Sequence, residues 1–206
     1  MKINNSWIVI CLLSHDGPYE LEFSTHLLPS LQKFNIPYYI EVIESKGSWL
    51  KNVAQKPGAI FNAMEKYPNK DIVCLDADSE ILSYPSLFDN IPEEYDLAFH
   101  TLDWNTWYRN NSNIKELLSG TMYIRNNEKT RKIVEEWYFT SNNYDMWEQK
   151  VLSNILEKNK DIKIYDLPLE YCWINSLPDG KDPFIKPDNV IIQHFQASRK
   201  YRKLIK

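Results

Sequence analysis

Ile72-Val73-Cys74-Leu75-Asp76-Ala77-Asp78 is a short apolar run that passes straight into two carboxylates spaced by one residue. Such a run reads as a buried strand. In an open α/β sheet, ligands bind at the carboxyl ends of the strands, and this stretch would deliver both acids to that edge. Two carboxylates there repel each other, and burying them unpaired is costly. A divalent cation removes the cost. Hard oxygen donors select Mg2+ or Mn2+, ions that usually bridge to phosphate oxygens. The plainer alternative is a solvated turn in which one acid caps the next element. The apolar run ahead of the pair favours a metal site with Asp76 and Asp78 as ligands.

Working outward, Trp7 to Leu13 reads as a buried first strand, stopped by Asp16-Gly17-Pro18. It is far shorter than the ~20 residues of a spanning helix, and no small-residue cleavage site follows it. Tyr19 to Phe34 places Leu21, Leu27, Leu28 and Leu31 at roughly helical spacing, interrupted by Pro29. Tyr38 to Ile43 reads as a second strand. Pro57 opens a helix that reaches Tyr67, with Ala59, Ile60, Ala63 and Met64 on its apolar face. Leu97 to His100 and Thr121 to Ile124 read as strands. Asn126 or Asn127 caps a helix to about Phe139. A further helix covers Met146 to Asn159, and strands are expected at Ile162 to Tyr165 and Val190 to His194. Trp104 to Ser119, rich in Asn, Ser and Thr, reads as a long loop over a site. Alternating strands and helices predict an α/β fold with a Rossmann-like first half: a mixed sheet flanked by helices, one domain over 1–206.

With 206 residues, 43% of them hydrophobic, the chain can bury a core without staples, and disorder is excluded. Its 3 Cys are odd in number and sit in apolar runs. That argues against a disulfide scaffold and suits a reducing compartment, so a cytoplasmic location is expected. A net charge of −4 gives no whole-protein attraction to nucleic acid. The exception is the basic tail, Arg199 to Lys206, which could rest on an anionic membrane surface or touch nucleic-acid phosphates. Aromatic residues are dense (13 Tyr, 8 Phe, 7 Trp) and suit sugar rings as well as cores.

With Asp76-Ala77-Asp78 at a strand end, the chain resembles the GT-A glycosyltransferases, which use nucleotide-diphosphate sugars and carry this Asp-x-Asp motif. The resemblance runs from about Trp7 to Lys200 and is closest to the retaining, glycogenin-like galactosyl/glucosyltransferase branch. Its other carriers are Lys56, the Leu118-Ser119-Gly120-Thr121-Met122-Tyr123 strand, Trp147-Glu148-Gln149, His194-Phe195 and Lys200. It implies Mn2+ or Mg2+ on Asp76, Asp78 and His194. It implies a nucleotide-sugar donor, with UDP as the nucleotide, contacted by Lys56, Asp76, Ala77, Asp103, Gly120 and Thr121. Ser14 and Tyr19, with Asp16 as a further candidate, occupy the region that meets base and ribose. Gln149, Glu148 and Lys200 are the implied catalytic residues, Lys200 lying on the diphosphate. Two departures stand out: the Gly and Pro-Trp that often surround that Lys are absent, and Glu148 replaces an Asp.

A His at a strand end beside two carboxylates is a sensible third ligand, and a nearby Lys would neutralise charge growing on the leaving phosphate. With retention, Gln149 or Glu148 would stabilise the sugar cation; with inversion, Glu148 or Asp145 would act as base. Trp107 could stack on an acceptor ring or merely pack. The expected acceptor is a glycan or glycolipid, with a nucleic-acid base as a minority case. Two rivals remain open. One is a haloacid-dehalogenase-type phosphatase, whose motif usually lies nearer the chain start and does not carry Glu80 at the corresponding place. The other is a module that binds nucleotide-sugar or glycan without transferring it.

Overall fold

The computed structural model describes residues 6–15, 17–109, 111–177, 180, 181, 183 and 185–201. β1 (Trp7–Ser14) is flanked by β2 (Tyr38–Ile43) and β3 (Asp71–Leu75), both parallel to it. Period-two alternation divides its apolar side chains between two cores. Ile8 and Ile10 face one, together with Ile72 and Cys74 of β3. Trp7, Val9, Cys11 and Leu13 face the other, with Val73 and Leu75. Burial on both faces explains why neither strand shows a polar alternation.

After β1 the chain forms α1 (Tyr19–Glu22), a π-helical turn (Phe23–Leu27) and α2 (Leu28–Lys33). The run continues through Pro29 instead of being interrupted. Proline lacks the N–H for the preceding turn and crowds its carbonyl, and the wider π turn lies where that bond would be needed. α3 (Trp49–Val53) follows β2, with Ser48 capping it through the Lys51 N–H. α4 (Lys56–Lys66) then leads into β3.

Past Asp78, β4 (Ser79–Ile81) begins a second, smaller sheet, and β5 (Leu97–Asp103) returns to the main one. Trp104 to Ser119 is not a long loop. It forms α5 (Trp104–Tyr108), capped by Asp103, and the first half of β6 (Lys115–Ile124), a strand paired antiparallel with both β3 and β5. Its polar residues obscured a strand that tertiary pairing dictates.

α6 (Glu128–Asn143) starts at a capping box on Asn127 and runs beyond Phe139. α7 (Glu148–Lys158), β7 (Ile164–Asp166), β8 (Trp173–Ile174), β9 (Ile192–His194) and α8 (Ala197–Tyr201) follow among the described residues. The main sheet has the order β2-β1-β3-β6-β5-β7, and the small one β4-β9-β8. This is the expected mixed α/β sheet, with α4, α6 and α7 packed on one face. Among the described residues, no helix is long and apolar enough to cross a membrane.

Candidate active site

The carboxyl end of β3 meets the small sheet at the acidic pair. The Asp76 N–H donates to the Gly120 carbonyl, and the Asp76 carbonyl accepts from both the N–H and the hydroxyl of Ser79. That tight turn aims Asp76 and Asp78 toward β9. Antiparallel pairing of β4 with β9 sets Ser79 opposite His194. One ligand atom from each of Asp76, Asp78 and His194 then falls within 4.8 Å of the others.

His194 is buried, and its Nε2 lies 2.8 Å from the Thr121 hydroxyl. With Nε2–H donating there, Nδ1 keeps its lone pair for a cation, an outer-shell partner fixing a ligand's tautomer. Gly120 leaves the necessary room. A Cβ at that position would stand 3.0 Å from His194 Cε1 and 3.2 Å from both Asp76 Oδ2 and His194 Nδ1. Burial pushes the His194 imidazole down to about 4, so it is neutral, as a ligand must be. Burial, reinforced by the charge of Asp76, pushes the Asp78 carboxyl up to about 7. The Asp78 Oδ2 accepts from the Ala197 N–H at 2.5 Å and so caps α8. Two carboxylates, one imidazole and a glycine cradle fit a divalent ion such as Mn2+ or Mg2+.

Behind this cluster lies a buried cation. The Lys56 Nζ stands 2.8 Å from Asp76 Oδ1 and 3.1 Å from Glu148 Oε1. Burial alone would push its pKa down; the carboxylates of Asp76 and Glu148 outweigh that and hold it well above the usual range. Glu148 is 1% exposed, and its Oε2 has no hydrogen-bond partner. Ser119 joins the group, its hydroxyl donating to Glu148 at 2.9 Å and its N–H to Gln149 Oε1 at 3.0 Å. The Gln149 Nε2 donates to Glu116 Oε1 at 2.8 Å, while Glu116 Oε2 accepts from the Trp104 indole at 2.7 Å. Acceptor-only Glu116 and the donor-only Ser119 N–H together fix which way the Gln149 amide faces.

These groups line one cavity of about 630 Å³. Ser14, Tyr19, Lys56, Asp76, Ala77, Asp78, Gly120, Glu148, Gln149 and His194 are all in its wall. Thr121 stands just behind, on His194. Two expected residues are not brought to it. Asp103 spends its carboxylate capping α5 through the Thr106 N–H. Lys200 turns to the Tyr201 hydroxyl at 2.7 Å, and its helical neighbour Arg199 lines the cavity instead. One residue along a helix rotates a side chain by about 100°, enough to exchange the two. Trp107 is buried edge-on against Trp173 and packs. Asp16 and residues 202–206 of the basic tail lie outside the described residues.

Asn52 and Glu116 are not among the residues the sequence singles out, and Ser119 enters there only as part of the Leu118–Tyr123 strand. Asn52, on α3, donates to the Ser14 hydroxyl at 3.4 Å, and Glu116 lies in the stretch expected to be a loop. Trp49 and Trp147, whose ring centroids are 6.0 Å apart, also line the cavity.

An acidic pair and a histidine at the carboxyl edge of a mixed sheet, opening on a cavity of nucleotide size, define a GT-A glycosyltransferase-like domain. The sequence profile of the nucleotide-diphospho-sugar transferases matches residues 48–199, and the chain belongs to that family. No curated protein matches the sequence significantly. Among solved structures, it is similar to a glycosyltransferase involved in the glycosylation of the major capsid of PBCV-1, at TM-score 0.66 and 15% identity over 96% of this chain and 97% of that one. Mouse xyloside xylosyltransferase 1 superposes at 0.56 and 12% identity, over 94% and 98%. The bifunctional glycosyltransferase WbbM gives 0.58 and 12%, over 95% of this chain but 46% of its own. At such identities these likenesses speak for the fold.

Proposed function

We propose that the chain is a retaining, metal-dependent hexosyltransferase of the glycogenin-like branch, moving a sugar from a UDP-sugar to a hydroxyl of a glycan or glycolipid. The observation that carries this reading is the convergence of Asp76, Asp78 and His194 within 4.8 Å at the wall of the cavity. Those three side chains would hold Mn2+ or Mg2+. A bound cation would supply Lewis acidity to the diphosphate and make the nucleoside diphosphate a better leaving group.

The remaining work falls to the chain. Ser14 and Tyr19 line the end of the cavity nearest β1 and would receive the base and ribose. Lys56 holds Asp76 in place and keeps the charge of Glu148 balanced. Gln149, its amide fixed by Ser119 and Glu116, would lie beneath the sugar and stabilise positive charge as the anomeric carbon gains oxocarbenium character. Retention is supported by what the carboxylates are doing. Inversion needs a free base opposite the leaving group; Glu148 is engaged by Lys56 and Ser119, and Asp145 is not among the cavity residues. The departing phosphate oxygen would then take the proton of the attacking hydroxyl. The three cysteines are buried free thiols, which supports a reducing, cytoplasmic setting.

The test follows slow hydrolysis of UDP-glucose and UDP-galactose with Mn2+ by NMR, before mutarotation. Retention releases the α-sugar first. An initial β-anomer would defeat the glycogenin-like assignment, and no turnover of any nucleotide-sugar would defeat the transferase reading.

A further inference from the structure

Asn52 is a buried carboxamide in the cavity wall, beside Ser14. Its side chain has a fixed sense. The Lys46 N–H donates to Asn52 Oδ1 at 2.7 Å. A backbone N–H can only donate, so that atom is the carbonyl oxygen, and Nδ2 is the end turned to Ser14. The contacts of Nδ2 are looser. It lies 3.4 Å from the Ser14 hydroxyl and 3.4 Å from that of Ser45, beyond the usual range of an N–H···O bond. Its donors can therefore shorten onto a ligand oxygen at little cost. The flanks are apolar: Ile43, the register partner of Ser14 on β2, and Val53, next in sequence to Asn52, line the same cavity.

We infer that Asn52 chooses the nucleotide: its Nδ2 donates to the C4 keto oxygen of uracil and so separates UDP from CDP. The inference rests on the UDP-sugar reading above and deepens it by naming the residue that sets base specificity. Uracil and cytosine have nearly the same shape. They differ at C4, where one presents an accepting oxygen and the other a donating amino group. Apolar packing cannot tell them apart, whereas a polar group of fixed sense can. Asn52 is such a group. To offer its oxygen to an amino group it would have to turn over and break the bond from Lys46. The Ser14 hydroxyl both donates and accepts, so it meets either base and cannot supply the discrimination.

The experiment titrates UDP and CDP, each with Mn2+, into the full chain and into Asn52→Asp by calorimetry. In Asn52→Asp one oxygen still accepts from the Lys46 N–H. The other replaces the donor and faces the Ser14 and Ser45 hydroxyls, both able to donate to it, so the fold should survive; thermal unfolding without nucleotide checks this. The wild-type protein should bind UDP about tenfold to a hundredfold more tightly than CDP, and Asn52→Asp should erase or reverse that preference. The added charge acts on both nucleotides alike, so the ratio of the two affinities isolates the base. Asn52→Ala removes the donor without adding charge and should bring the two affinities to within a few-fold of each other. A part confined to holding the turn at Lys46 would leave the ratio where it was in Asn52→Asp. The inference is overturned if the wild-type protein binds CDP as tightly as UDP, or if the ratio is the same in the wild type and both variants; UDP binding with Mn2+ then still stands, and only the role of Asn52 falls. If the wild-type protein binds neither nucleotide with Mn2+, the UDP-sugar reading itself falls and takes this inference with it.

Discussion

The carboxylate of Glu116 accepts a hydrogen bond from the Gln149 amide at 2.8 Å and thereby sets the direction in which that amide faces. Its second oxygen accepts from the Trp104 indole. A carboxylate alone can accept from both donors; a carboxamide of the same shape must turn a donor toward one of them. Glu116→Gln should therefore lower kcat for UDP-sugar turnover by about tenfold to a hundredfold, the worth of a charge-assisted hydrogen bond, with little change in KM for the donor. In a Gln149→Ala background the same substitution should add nothing. Equal losses in both backgrounds would show that Glu116 acts independently of Gln149.

Lys56 is the cation shared by Asp76 and Glu148. Removing one partner of a buried ion pair leaves an uncompensated charge and costs about 3–5 kcal/mol. Lys56→Met should show that loss in urea denaturation without metal. The double variant Lys56→Met/Glu148→Gln should recover most of it, because a neutral amide replaces the stranded carboxylate. Two additive losses would contradict a direct pairing.

Asp78 and His194 predict opposite pH slopes for the metal-free protein. Burial raises Asp78 from 3.8 to about 7, so its contribution to stability is fully present at acid pH and is lost as pH rises through about 7. Burial lowers His194 from 6.5 to about 4, so its contribution is present above 6.5 and is lost as pH falls toward 4. Across the shared range the two slopes offset. Asp78→Asn keeps an acceptor for the Ala197 N–H and removes one slope. It should raise the melting temperature above neutral pH, expose the acid loss of His194 below it, and abolish Mn2+ uptake. In the wild-type protein, Mn2+ binding just below neutral pH should release about one proton, measured by calorimetry in buffers of different ionisation enthalpy. A melting temperature unchanged by Asp78→Asn at alkaline pH would contradict the burial argument.

Much of the donor end of the site was legible in the sequence, because short-range rules govern it. The acids follow directly on an apolar strand, and Pro57 in the first turn announces the helix that carries Lys56. His194 could be placed beside them only through the family resemblance. What joins it to Asp78 is the register of a three-stranded sheet whose members β4, β8 and β9 are too short to show periodicity. Glu116 was hidden for a related reason: in Lys115-Glu116-Leu117-Leu118 the pattern does not alternate, and only pairing with β5 makes a strand of it. Lys200 and Arg199 differ by one step on α8, and spacing along the sequence could not say which of them turns toward the cavity.

The proposition on which the account depends is that Asp76 and Asp78 hold a cation that in turn holds a nucleoside diphosphate. Titration of UDP into the protein by calorimetry, with and without Mn2+, tests it most directly, with Asp76→Asn as control. UDP should bind strongly only when Mn2+ is present, stabilising the fold by ~2.7 kcal/mol at one hundred times its dissociation constant, and Asp76→Asn should lose both effects. Equal UDP affinity with and without the metal, or in wild type and variant, would contradict the account.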